Sequence, residues 1–333
     1  MVNPLDATDV ILKILAGEVR AASRLIRNLE DKLPGAKASV MALFPHTGRA
    51  RIVGLTGAPG AGKSTLVDRM ISVSRKQSKT VGVLAVDPTS PFTGGAILGD
   101  RVRMKSHGED PDVFVRSLAT RGALGGLSAA VGDAVHVMDA MGKDLILVET
   151  VGAGQQEVDI INHSHTVILV LTPGMGDEIQ AIKAGVMEIA DIFVINKADR
   201  EGAGRLENEL TSMLNMVSEF PGHWRPPIIK IGNAGDEEAF ARGVENLAGA
   251  AEQHFQMLLN TKLMDERMQR KAKMELREAL HHILLDPVLN DLAESGEMER
   301  IAIRIMKKET DPHRASREIT RKYLDNIQAS LRS

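Results

Sequence analysis

The chain has 333 residues, a formal net charge of −3 at pH 7, 43% apolar and 26% charged positions, and no cysteine. That length suits roughly two domains, and the near-balanced charge excludes the strongly basic surface that general binding to nucleic acid or anionic membranes requires. The absence of cysteine excludes disulfide scaffolds, thiolate zinc sites, iron–sulfur clusters and cysteine nucleophiles. The opening Met-Val-Asn-Pro-Leu-Asp carries no basic stretch followed by an apolar one, and no apolar run approaches the ~20 residues of a bilayer span. A cytoplasmic protein without nucleic-acid or membrane partners is expected.

Residues 1–47 read as a helical N-terminal extension of two or three short helices. Apolar positions recur at helical spacing (Ile11, Leu12, Ile14, Leu15, then Ala22, Leu25, Ile26, Leu29), and Leu33-Pro34-Gly35 forms a break. Over 48–250 the pattern changes to short β-branched runs separated by helical stretches: RIVGLTG, TVGVLAVD, DVFVRS, DLILVET, HTVILVLTPG, DIFVINKAD and PPIIKIG. Runs apolar on both faces and alternating with helices predict an α/β fold, a mostly parallel sheet flanked by helices. Beyond 236 strand signals vanish. Residues 251–333 read as a charged helical arm, with Pro287 and Pro312 near helix starts. Within it, adjacent His281 and His282 are expected to point in different directions on a helix. No carboxylate–histidine cluster has metal-ligand spacing, so both read as surface residues.

Gly57-Ala58-Pro59-Gly60-Ala61-Gly62-Lys63-Ser64 fits the phosphate-loop pattern, and its context fits too: a strand precedes it and an amphipathic helix, beginning Ser64-Thr65-Leu66, follows. Such a loop turns its amides inward around phosphate oxygens, which demands unusual backbone angles and close approach, hence the glycines. The phosphates would sit on a helix N-terminus, with Lys63 reaching the β- and γ-phosphates and the Ser64 hydroxyl ligating Mg²⁺. Ligands of open α/β sheets lie beyond the carboxyl ends of the strands, which singles out acidic residues there. Asp87 ends TVGVLAVD, Asp100 lies in the loop after it, and Glu149 opens Glu149-Thr150-Val151-Gly152. Each is a candidate magnesium ligand or water-orienting carboxylate, with Lys63, Glu149 and Asp100 as the catalytic candidates and Gly152 beside the nucleotide.

Asn196-Lys197-Ala198-Asp199 ends another strand. A carboxylate at Asp199 can accept both the N1–H and the exocyclic amine of guanine, which adenine does not offer together. A site built for those bonds can reject the wrong base by about 10⁴-fold. Asn196 would tie this motif to the phosphate loop and the Lys197 stem would cover the ring, making GTP and GDP with Mg²⁺ the expected ligands. After the last strand, Asn233 and Ala234 stand where a base-supporting loop would lie.

With these motifs in order, the chain resembles the MeaB family of P-loop GTPases, also called ArgK or LAO/AO transport kinases and related to the mitochondrial chaperone of methylmalonyl-CoA mutase. The likeness extends to LAVDPTSPFTGGAILGDRVRM at 84–104, LILVETVGAGQQE at 145–157, PGMGDEIQAIKAG at 173–185 and Trp224-x-Pro226-Pro227. The resemblance implies a P-loop NTPase fold over 48–250 and a GTP-hydrolysing chaperone with slow intrinsic turnover. Its partner would be an adenosylcobalamin-dependent acyl-CoA mutase. Segments like 84–104 and 149–157 are nucleotide-sensing switches in that family. One like 173–185 communicates with the partner, which makes Gln180 and Lys183 coupling residues. It also implies a homodimer built on the C-terminal helices. Two features depart from the family: Gly232-Asn233-Ala234-Gly235 lacks the usual serine, and Gly154-Gln155-Gln156 replaces G-Q-S or G-Q-T. No cobalamin motif is present; Asp311-Pro-His313-Arg-Ala-Ser316 lacks its glycine and opens a helix. The alternatives are a P-loop kinase or ATPase acting on a transport protein, and a metallochaperone GTPase.

Overall fold

The computed structural model describes residues 4–87, 107–119, 126–150, 163–174, 190–232 and 235–330. They form two compact units, Met1–Ala272 and Lys273–Ser333.

In the first unit, β1 (Arg51–Thr56), β2 (Val81–Asp87), β3 (Val113–Ala119), β4 (Leu145–Thr150), β5 (Thr166–Leu171), β6 (Ile192–Asn196) and β7 (Ile228–Ile231) build one sheet in the order β3-β2-β4-β1-β5-β6-β7. Every neighbouring pair is parallel. Each predicted run becomes a strand because its apolar residues serve two cores. Ile52, Leu84, Val86, Ile146 and Val148 face one side, while Val53, Leu55, Val81, Val83, Leu145 and Leu147 face the other. That two-residue alternation, apolar on both faces, requires helices on each side.

One side is covered by α1 (Pro4–Leu15), α2 (Val19–Glu30), α3 (Ala36–Leu43) and α5 (Gly126–Ala140). The N-terminal segment is therefore a layer of the core: Ile14, Ala22, Leu25, Ile26 and Leu43 are buried in the same apolar cluster as the sheet residues of this side. Each of the larger of these contributes about 1.5–3 kcal/mol of transfer free energy. The opposite side takes α4 (Lys63–Lys76) and α7 (Glu237–Asn260), through Leu66, Val67, Met70, Val244 and Leu247. A third cluster packs α6 (Ala203–Leu214) on Leu169, Leu171, Phe193 and Ile195. The approach to β1 is fixed by Asp139, whose buried carboxylate accepts the amides of Gly48, Arg49 and Ala50 at 2.6, 3.1 and 3.0 Å.

At the amino end of the sheet lies a polar network that the sequence did not announce. Asp191, just before β6, accepts from Arg267 of α8 (Leu263–Leu280) at 2.5 and 2.9 Å and from the Val167 amide at 2.8 Å. His254 Nε2 lies 3.2 Å from the same carboxylate, with its Nδ1 2.9 Å from Thr166 Oγ1. Burial alone would raise the Asp191 carboxyl, but the hydrogen bonds from His254 and Arg267 hold it below its ordinary value. Trp224, of the Trp-x-Pro-Pro segment, donates its indole N–H to the Asp191 carbonyl at 2.9 Å.

The second unit holds α9 (Asp286–Glu294), α10 (Glu297–Met306) and α11 (Pro312–Ser330), reached through a π-helical turn at His281–Leu285. Asp311 caps α11, accepting the amides of His313 and Arg314 at 2.9 and 3.0 Å, so the Asp-Pro-His string does open a helix. The π turn corrects the expectation for His281 and His282. Both lie beside Asp286, at 3.4 and 2.5 Å. Pro287 has no N–H to return to the carbonyl four residues back and crowds it, so the turn closes instead from the Asp286 amide to the His281 carbonyl.

Among the described residues no helix is long and apolar enough to cross a membrane.

His165 supplies a stability prediction. Its Nδ1 accepts the Ile52 amide at 3.1 Å. Burial, reinforced by Lys271 and Arg267, lowers its pKa from 6.5 to about 4. The neutral ring is the folded form, so this stabilisation is complete above pH 6.5 and is lost as pH falls from 6.5 toward 4. Urea unfolding at pH 7.5 and 4.5 should show wild type losing about 2–3 kcal/mol more than His165→Asn, whose carbonyl keeps the acceptor without titrating. Equal losses would contradict this.

Candidate functional site

Strand order reverses around β1: the chain builds outward to β2 and β3, returns to β4 beside β1, then crosses to β5 and on to β7. The carboxyl edge at such a point is where open α/β sheets place ligands. Three of the predicted motifs end there, on β1, β4 and β6.

The loop after β1 has the backbone its sequence calls for. Gly57, Gly60 and Gly62 have φ of +136°, +78° and +92°, and α4 begins at Lys63. At Gly57 a methyl group would stand 2.1 Å from the Val170 carbonyl oxygen, so β5 leaves room for hydrogen only. Lys63 is buried, its ammonium donating to the Gly57 and Ala58 carbonyls at 2.5 and 2.8 Å. These contacts hold the loop closed over its own helix N-terminus. An ammonium with three donors can also serve phosphate oxygens arriving there. Ala61 is buried, whereas Pro59, Gly60 and Thr65 are exposed.

On β4, Glu149 is 2% exposed and stands in register with Leu55 of β1 and Ala85 of β2. Its Oε1 accepts the Ser64 hydroxyl at 2.6 Å. A hydroxyl and a carboxylate oxygen meeting beside a phosphate loop form a hard oxygen donor set of the kind Mg²⁺ prefers, so the residues present fit that ion. Thr150 donates to Thr56 at 3.3 Å, tying β4 to β1 at the same edge. Asp87 ends β2 opposite Ala119 of β3; its side chain lies outside the described residues. So do Asp100, Gly152, Gln180, Lys183, Asn233 and Ala234, and the segments 88–106, 151–162 and 175–189.

The Asn-Lys-Ala-Asp segment begins at Asn196, the last residue of β6. Asn196 is buried and donates to the Ala61 carbonyl at 2.7 Å, the tie expected from the motif. Sequence reasoning missed a second tie: Lys197 Nζ donates to the Gly60 carbonyl at 2.7 Å. To do so Lys197 takes a φ of +55°, a conformation that costs a side-chain-bearing residue about 1 kcal/mol or more. Lys197 can cover a bound ring only with its stem, because its head is committed to the loop. Asp199 is exposed, and Gly232 lies so close beneath it that a methyl there would meet Asp199 Oδ1 at 2.9 Å. Gly62 is constrained in the same way, a methyl falling 2.3 Å from Asn196 Nδ2.

These clearances rank three substitutions. Gly57→Ala meets backbone that cannot yield and should cost at least about 2 kcal/mol of stability. Gly62→Ala should instead displace Asn196 and weaken nucleotide binding at least about tenfold. Gly60→Ala, with open space around it, should cost only about 1 kcal/mol for its positive φ. Thermal unfolding and nucleotide titration of the three variants check the order, which equal effects would contradict.

Comparison with known proteins agrees with this geometry. The family described as methylmalonyl Co-A mutase-associated GTPase MeaB matches residues 22–293. A relative from Pyrococcus horikoshii named as a GTPase is 46% identical over 317 residues, covering 94% of this chain and 96% of its own. GTPase ArgK of Escherichia coli is 33% identical over 236 residues, covering 69% and 71%. The mouse methylmalonic aciduria type A homolog, a mitochondrial protein, is 40% identical over 182 residues, covering 54% of this chain and 44% of its own. Among solved structures, one of a LAO/AO transport system kinase has a TM-score of 0.71 at 21% identity, covering 97% and 99%, and shares the fold. The chain belongs to the MeaB family of P-loop GTPases.

Proposed function

We propose that this GTPase is a cytoplasmic chaperone that gates cofactor loading into an adenosylcobalamin-dependent acyl-CoA mutase, methylmalonyl-CoA mutase first, and protects or reactivates it. The observation that carries the reading is the family match across the described sheet, whose description names that mutase. The mouse relative's name supports it by pointing to methylmalonic acid metabolism.

In this reading the amides of Gly57 to Thr65 cradle the phosphates, and the Lys63 ammonium exchanges loop carbonyls for β- and γ-phosphate oxygens. Ser64 and Glu149, with Asp87 and Asp100, would hold Mg²⁺, which supplies charge neutralisation between those phosphates. Glu149 or Asp100 orients the attacking water, and Gly152 offers its amide to the γ-phosphate. Asp199 reads guanine, with Asn233 and Ala234 backing the base. Loss of the γ-phosphate relaxes 87–104 and 149–157, and Gln180 and Lys183 pass that change to the mutase. Slow intrinsic turnover then acts as a timer, and a homodimer through residues 251–333 presents two such switches.

Two measurements test the reading. Asp199→Asn exchanges an acceptor for a donor: GDP affinity should fall about 10³–10⁴-fold while xanthosine diphosphate, with a carbonyl in place of the amine, gains. An unchanged preference removes Asp199 from base recognition. Purified mutase should accelerate GTP hydrolysis at least about tenfold, with Lys63→Ala abolishing both turnover and cofactor gating. Transfer of labelled γ-phosphate to a protein, with ATP preferred, would support the kinase reading instead.

A further inference from the structure

The π turn of the second unit gathers three potential ligands, none of them a residue of the nucleotide site. His282 Nδ1 lies 2.5 Å from Asp286 Oδ2 and His281 Nδ1 lies 3.4 Å from Asp286 Oδ1. One ligand atom from each residue falls within 4.8 Å of the other two. An uninterrupted α-helix would forbid this, because five residues on, Asp286 would lie about 140° around the axis from His281. The i→i−5 closure from the Asp286 amide to the His281 carbonyl brings the fifth residue back over the first. Proline at 287 explains why the turn forms here, but not why two imidazoles converge on one carboxylate.

We propose that His281, His282 and Asp286 bind one divalent transition-metal ion, of the zinc class. With one ligand atom from each residue already within 4.8 Å of the other two, side-chain rotations of about 1.5 Å or less bring the three onto the ~3.3 Å ligand–ligand edges of a tetrahedron with 2.0–2.1 Å bonds. Two imidazoles select zinc, nickel or copper over magnesium or calcium. The three side chains are 47, 24 and 28% exposed, so water can reach the ion and complete its coordination. An ion there crosslinks the end of α8 to the start of α9 and pins the π turn against reversion to regular helix. It stabilises the second unit increasingly as the free ion rises above its dissociation constant. None of its residues belongs to the nucleotide machinery, so the test does not depend on the mutase reading.

The test is calorimetric titration of zinc chloride into the full chain saturated with GDP and magnesium, which keeps the phosphate-loop carboxylates occupied. Wild type should take up one equivalent that the His281→Ala/His282→Ala double variant does not. Asp286→Asn, which preserves side-chain size, should weaken that uptake at least about 10–100-fold. Cobalt in place of zinc should give visible ligand-field bands in wild type that are absent from the double variant and need at least about tenfold more cobalt in Asp286→Asn. Circular dichroism and GTP hydrolysis should be unchanged in each, which separates loss of a ligand from loss of fold. Identical zinc uptake and cobalt spectra in wild type and variants would overturn the proposal, as would no uptake by wild type.

Discussion

The site depends on a hydrogen bond between two loops that are distant in sequence. Asn196, at the end of β6, donates to the carbonyl of Ala61 in the phosphate loop after β1, and Lys197 repeats the tie one residue earlier, at Gly60. One strand, β5, separates the two, so the loops are about 10 Å apart by sheet spacing and would move independently without those bonds. With them, the segment carrying Asp199 and the loop carrying Lys63 form one rigid frame. The frame is tight enough that a single methyl at Gly57 or Gly62 would strike it. A guanine nucleotide spanning it therefore meets a surface already arranged, which lowers the ordering cost of binding.

The sheet makes that frame stiff from its other end as well. β6 is five residues long, about 16 Å of extended chain. It begins next to Asp191, which is clamped by Arg267, His254 and the Val167 amide, and it ends at Asn196. Its core side chains alternate between two apolar clusters, so a shift along the strand would expose both sets at once. Asp139 does the same for β1, fixing three successive amides just before the strand whose far end is the phosphate loop. Polar anchors at the amino edge and ligand-binding loops at the carboxyl edge are thus two ends of the same strands.

Much of this was legible in the sequence because the relevant signals are local. Seven β-branched runs became seven strands, and the glycines of the phosphate loop adopt the positive φ that their spacing implied. The pairing of Asn196 with the loop followed from motif order. What the sequence concealed depends on the tertiary path. Nothing near Asp191 in the chain announces Arg267, 76 residues on, and nothing in residues 1–47 distinguishes a layer over the sheet from an appended helix pair. His281 and His282 escape a helical reading for a narrower reason: Pro287 interrupts the hydrogen-bond register, and one extra residue in the turn is enough to bring both beside Asp286. Asp100 and Gly152 stand on their motifs, and Gln180 and Lys183 on the family resemblance.

A carboxyl edge shaped for guanine as well as for phosphate should discriminate between bases. Calorimetric titration of the full chain with GDP and with ADP, in the presence of magnesium, measures that directly. GDP should bind at least about 10³-fold tighter than ADP; equal affinities would mean that this edge does not read the base.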